Sequence, residues 1–191
     1  MQTSSSISLV AFEPTHPLRV EARWQLAAPR SATAARTLRL RFEVYDPHEV
    51  VIWPASSQAP AERDGLWKHS CMELFIGQDG ADSYGELNVS PSGDWAFYYF
   101  AAYRQRQAIV GPAPAPMSIS VEGDATSRSV SFEVELRRLR DLIGEPPWRW
   151  QPTAVLETSS GLTYWAPSHP ATRPDFHRLG QVPVWDPYDE E

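Results

Sequence analysis

The stretch DGLWKHSCMELFIGQDGADSYGELNVSPSGDWAFYYFAAYR, from Asp64 to Arg104, decides the fold class. It reads as strands separated by polar turns. Side chains alternate across a strand with period two, so Tyr84, Glu86, Asn88 and Ser90 share one face while Leu87 and Val89 share the other. That strand has an apolar back and a hydrogen-bonding front. Met72, Leu74 and Ile76 mark the inward face of the strand before it, and the Gly- and Asp-rich GQDGADS between them is a turn. A tight SPSGD turn leads into the strand Trp95 to Tyr103, and Trp67, His69 and Glu73 lie close by in sequence.

The same alternation runs outward in both directions. Leu38, Leu40, Phe42 and Val44 alternate with Arg39, Arg41, Glu43 and Tyr45, the pattern of a half-buried strand. Leu18, Val20, Ala22 and Trp24 precede them, beyond the loop LAAPRSATAAR. Val130, Phe132, Val134 and Leu136 repeat the pattern after the hairpin turn EGDATS. Leu136, Leu139 and Leu142 permit one or two helical turns before Gly144, EPPWRWQP interrupts, and Thr153 to Ser159 and Leu162 to Trp165 read as the last core strands. The expectation is an all-β, jelly-roll-like antiparallel sandwich of roughly ten strands with minimal helix, filling residues 1–191 as one domain. Leu38, Leu40, Phe42, Val44, Met72, Leu74, Leu87, Val89, Val130, Phe132 and Val134 should point inward. The tail Tyr164 to His177, dense in aromatics and His between prolines, should fold back against Trp67 to Glu73.

Composition narrows the function classes. The 191 residues hold eight Trp, seven Tyr, seven Phe and eighteen Pro, and the net charge is −7. A net negative chain lacks the long-range attraction that phosphate-backbone binding requires, so no nucleic-acid partner is expected. The single Cys71 excludes an internal disulfide. No basic leader and no long apolar run is present, so the expected location is cytoplasmic, away from membranes. Phosphate-loop, GxGxxG and GxSxG frames are absent, and Cys71 beside apolar residues reads as an inert buried thiol.

Three separated segments, DGLWKHSCMELFI, YGELNVSPSGDWAFYYF and LTYWAPSHPATRPDFH, carry a family resemblance. The chain resembles DOMON-like proteins, and more closely bacterial members related to the family-9 carbohydrate-binding modules. The matching segments cover about half of the chain, in the expected order. The resemblance implies a β-sandwich of roughly ten strands whose ligands are sugars or haem. It also implies a stacking pair of tryptophans, carried here onto Trp67 and Trp165.

A sugar ring presents an apolar C–H face and a rim of hydroxyls, met by a flat aromatic and by short polar side chains. Trp67, Trp95 and Trp165 are candidates for the first task, and Glu73, Glu86, Asn88, Ser90 and Arg104 for the second. His69 and His169 complete the candidate set. The expected function is non-catalytic binding of a carbohydrate, small polyol or other small molecule, with no cofactor. A haem-binding electron-transfer domain is the alternative, with axial ligands from Met72, Lys68, His69, His169 or His177. Met72 shares a face with Leu74 and Ile76, which favours packing over ligation. A second alternative is an enzyme. Glu73 and Glu86 would then form a glycosidase pair, or His169, Asp175 and His177 would hold a metal, though their spacing matches no standard ligand pattern.

Overall fold

A computed structural model describes residues 4–27 and 35–187. Most of the loop LAAPRSATAAR, and the last residues of the acidic C-terminus, therefore lie outside the described residues. In chain order the strands are β1 (Ser4–Ala11), β2 (Arg19–Ala27), β3 (Thr37–Tyr45), β4 (Cys71–Gln78), β5 (Tyr84–Val89), β6 (Trp95–Ala102), β7 (Gln105–Gln107), β8 (Ser118–Gly123) and β9 (Ser127–Glu135). Helix α1 (Leu136–Ile143) follows, then β10 (Trp148–Thr158), β11 (Gly161–Ala166) and the two-residue β12 (Val184–Trp185).

The strands pair antiparallel in two layers. The first sheet runs β8-β9-β3-β2-β1 and the second β7-β6-β5-β4-β10-β11, with β12 on the free side of β10. β1 joins them: it pairs β2 through most of its length, then β11 through Val10 and Ala11. The sheets face each other across one core, in which Leu40 of β3 sits between Trp24 and Phe132 in the ladder. All eleven side chains expected to point inward are at most 1 % exposed. The expected all-β sandwich is the observed fold. No helix among the described residues is long and apolar enough to cross a membrane.

Three local features differ from the expectation. The described residues hold twelve strands because β7 and β12 are too short to show a period. Helix α1 spans two turns, burying Leu136, Leu139 and Ile143 where Leu142 was expected. The segment EPPWRWQP does not interrupt. β10 starts at Trp148 and runs through Pro152, whose ladder partner is Leu74 of β4. On its other side β12 pairs only Trp148 and Arg149, and β11 begins pairing at Ala154. Pro152 thus occupies a local edge, where proline is tolerated.

The outer faces of the two sheets have opposite chemistry, and this positions the site. The outer face of the first sheet carries a lattice of cross-strand ion pairs: Arg23 with Glu43, Arg41 with Glu122, and Arg39 with Glu133. The first two are exposed pairs worth about 0.2–1 kcal/mol each, while Glu133 of the third is buried beneath Arg39. The outer face of the second sheet is covered instead, by a second apolar cluster built from Phe75, Tyr84, Tyr98, Phe100 and Val155 under Phe176, Leu179 and Val182 of the tail.

Gly85 tests the packing between the layers. It faces the core in register with Tyr99, and a Cβ there would collide with the end of the Phe97 ring. Gly85→Ala is expected to lower stability by about 1–3 kcal/mol through overpacking. Urea denaturation checks this, and an unchanged midpoint would contradict the placement of Phe97.

Candidate functional site

Alternation along the second sheet projects Cys71, Glu73 and Phe75 of β4, Tyr84, Glu86 and Asn88 of β5, and Tyr98 and Phe100 of β6 to the outer side. Tyr164 of β11 joins them. The ladder places Glu86 opposite Phe75 on one side and Tyr98 on the other, with Glu73 opposite Asn88. Between these strands, the turn carrying Trp67 and the tail lies an open groove of about 480 Å³. Glu73 and Glu86 are on its floor. Trp67, Tyr98, Phe100, Tyr164 and Phe176 supply aromatic surface, and Arg104, Arg106 and Arg173 stand around it.

Each wall is held by specific bonds. Gly65 adopts φ +79, a left-handed conformation that glycine accepts without strain, and opens the single 3-10 turn Leu66–Lys68. The Gly65 amide donates to the Tyr98 hydroxyl at 3.0 Å, and that hydroxyl donates to Asp64 at 2.7 Å. The Tyr98 bond, with Arg106 alongside, holds the Asp64 carboxyl below the usual range. Trp67 is thereby fixed beside the groove while its ring stays 46 % exposed. Arg106 stacks 4.2 Å from the centre of the Tyr98 ring.

The tail is anchored through Asp175, whose side chain is 1 % exposed. It accepts from the Tyr103 hydroxyl at 2.6 Å, from Arg178 at 2.9 Å and from Arg104 at 3.1 Å. Burial works to raise its pKa, but these donors pull it down to about 2. Arg104 sits in the turn after β6 with φ +55, a strained value for a non-glycine residue. Its amide donates to the Tyr84 oxygen at 3.0 Å, and its side chain is tied to Asp175. His177 lies edge-on to Phe75 and Phe100, each with ring centres 5.1 Å away. Burial, with Arg104 nearby, lowers its pKa to about 4. Its Nδ1 is hydrogen-bonded to the Tyr84 hydroxyl at 2.8 Å, and burial pushes the pKa of that hydroxyl up to about 12.

The two floor carboxyls are nearly buried. Glu73 accepts from Thr153 at 3.0 Å and Glu86 from Asn88 at 2.9 Å. Burial and then the Glu86 charge raise the pKa of Glu73 well above the carboxylate range. Burial raises Glu86 to about 7 against the Asn88 bond and the charges of Arg104 and Arg106. Two carboxyls so placed titrate as a pair and hold a proton near neutrality.

Of the ten residues expected at the site, the structure brings Trp67, Glu73, Glu86 and Arg104 together around one groove. Asn88 stands behind Glu86, fully buried, as its hydrogen-bond donor. The others lie elsewhere. Trp165 is a core residue: it shares a face with Thr163, to which its Nε1 donates at 2.9 Å, and packs between the sheets. Its neighbour Tyr164 has the opposite parity and takes the groove. Trp95 likewise packs against the core. Ser90 stabilises the SPSGD turn, accepting from the Ser92 amide and hydroxyl. His69 is exposed and paired with Glu157 at 2.8 Å, and His169 bonds the Val10 carbonyl with its ring against Phe12. The tail does fold back, but onto Phe75, Tyr84 and Phe100 more than onto the Trp67 turn.

For haem, Met72 lies in the core on the opposite face of β4 from the groove, so it forms no axial pair with His177. For a metal, Asp175 is engaged by two arginines and His169 by a carbonyl, and no group of three candidate ligands occurs among the described residues. Cys71 is fully buried, and burial raises its pKa well above the usual thiol value.

With this geometry in view, the chain can be set beside known proteins. The chain superposes on a solved structure from Bacteroides uniformis. That protein is described as a candidate carbohydrate-binding protein. The TM-score is 0.57 at 13 % identity, over 96 % of this chain and 85 % of that one, and the likeness shows the shared fold. No protein-family model matches, and no curated protein matches.

Proposed function

We propose that the groove on the outer face of the second sheet is a non-catalytic binding site for a carbohydrate or small polyol, in a DOMON-like or family-9-module-like domain. One observation carries the reading: exposed aromatic rings, buried carboxyl oxygens and arginine donors converge on an open groove. Its volume, about 480 Å³, lies in the range of small-molecule sites. Trp67 and Tyr164 offer ring faces for the C–H surface of a sugar. Glu73 and Glu86 accept from its hydroxyls, and Arg104 and Arg106 donate to its oxygens. The description of the Bacteroides uniformis protein supports the same class of ligand.

Isothermal titration against a panel of mono- and disaccharides tests this. Trp67→Ala is expected to weaken the best sugar by about 1–3 kcal/mol. The melting temperature should hold, because the ring is half exposed on the ligand side. Unfolding of the variant, or unchanged affinity, would assign Trp67 to packing.

A second reading draws on the same carboxyl pair. A carboxyl with pKa about 7 beside another is suited to general acid–base work on a glycosidic bond. Chromogenic glycosides separate the two: turnover that disappears in Glu86→Gln establishes hydrolysis, and binding without turnover establishes the module.

A further inference from the structure

The floor of the groove is made of acceptors. Glu73 and Glu86 are 2 % and 6 % exposed. Glu73 Oε2 is met by Thr153 and Glu86 Oε1 by Asn88, while the second oxygen of each has no donor among the described residues. Behind them Asn88 Oδ1 is buried and also without a partner. Apart from the proton that the pair holds near neutrality, the free oxygens of the floor only accept, and the floor carries no positive charge.

The arginines stand at the rim and not on the floor. Arg104 is held by Asp175, Arg106 by Asp64, and Arg173 is exposed. All three reach solvent, which screens their charge, whereas the floor is sheltered. The walls have the complementary property. Trp67 is half exposed and Tyr164 partly exposed at the groove, and an open aromatic face attracts a cation.

We propose that the ligand of this groove carries a free ammonium group and, given the carbohydrate reading on which this rests, that it is an amino sugar with an unacylated amine. A primary ammonium presents three N–H donors. It meets the free oxygens of Glu73 and Glu86 together and takes the place of the proton that the pair otherwise shares, which passes to solvent. The sugar ring then lies along Trp67 and Tyr164, and its remaining hydroxyls reach Arg104 and Arg106. A hydroxyl in the same position brings one donor and no charge. An N-acetyl group removes the charge, leaves one N–H and adds bulk against the floor.

The experiment is isothermal titration at neutral pH with glucosamine, galactosamine and mannosamine, each beside its parent sugar and its N-acetyl derivative. The expected result is at least one amine bound about 10-fold or more tighter than its parent sugar, because charge-assisted hydrogen bonds are roughly twice as strong as neutral ones. Its N-acetyl derivative should bind more weakly than the amine. The preference should vanish in Glu86→Gln. Glu73→Gln is the second variant should the first fail to fold, and circular dichroism monitors both. Parent sugars that bind as tightly as their amines, or a preference that survives in the folded variant, would overturn the ammonium assignment and leave the carbohydrate reading standing. Binding of none of the nine compounds would overturn this assignment, and no binding across the mono- and disaccharide panel would overturn the carbohydrate reading as well.

Discussion

Asp175→Ala is expected to destabilise the protein by about 2–4 kcal/mol and to release the tail from the second sheet. Four donors converge on this one carboxylate: Tyr103, Arg104, Arg178 and the His177 amide. Hydrogen bonds to a charged group contribute about 1.5–3 kcal/mol each. The loss falls well short of their sum because Arg104 and Arg178 are half exposed and regain water. The anchor also holds Phe176 against Phe75 and His177 against Phe100, so the apolar cover of the sheet loosens with it. Hydrogen exchange should show lost protection across residues 175–182, and urea denaturation a lower midpoint. Unchanged exchange in that segment would show that the aromatic contacts alone hold it. Because the folded pKa of Asp175 is depressed to about 2, its contribution is present at neutral pH and lost only as pH falls below the ordinary carboxylate value toward 2.

The second large effect develops as pH rises from about 4.5 through 7. An unfolded Glu86 ionises near its ordinary value of 4.5, and the folded protein holds the proton up to about pH 7. Over that interval the folded state binds a proton that the unfolded state lacks, so stability falls as pH rises, by about 3 kcal/mol once Glu86 is fully ionised. Glu73, raised further by burial and by the charge of Glu86, extends the fall to higher pH. His177 opposes this at the acid end. Its pKa is lowered to about 4, so its contribution is complete above the unfolded value of 6.5 and is lost as pH falls through 4. The two slopes oppose each other between about pH 4.5 and 6.5, and only the carboxyl slope operates above. Glu86→Gln should therefore be more stable than the parent at about pH 8 by roughly 2–3 kcal/mol, and nearly equal to it at about pH 4.5. Equal stability at both would mean that the Glu86 carboxyl is solvated.

The apolar half of the fold was legible in the sequence because one period governs it. Leu38 to Val44 and Val130 to Val134 alternate without a break, and each is buried as the alternation requires. The polar front of β5 was equally legible, but its surroundings were not. Glu86 and Asn88 were expected to face solvent or ligand, and they are buried because β4, β6 and the tail close around them. Trp165 was placed at the site by resemblance, against its own parity: the residue beside it, Tyr164, faces the groove. Tyr98 and Phe100 were recoverable from the β5–β6 hairpin, whose register sets Tyr98 opposite Glu86. Arg173, Phe176 and His177 had no local signal fixing their place, because a proline-rich segment without a period docks through Asp175 and its partners, far away in the chain.

The central claim is that the outer face of the second sheet, and not the ion-paired face of the first, takes the ligand. The most direct measurement is a ¹H–¹⁵N spectrum recorded while the best-binding sugar is titrated in. The Trp67 indole N–H and the Nε–H groups of Arg104 and Arg106 should shift along one saturating curve, while the indole signals of Trp148 and Trp165, buried in the core, stay in place. Shifts confined to the first sheet, or none with any sugar, would contradict it.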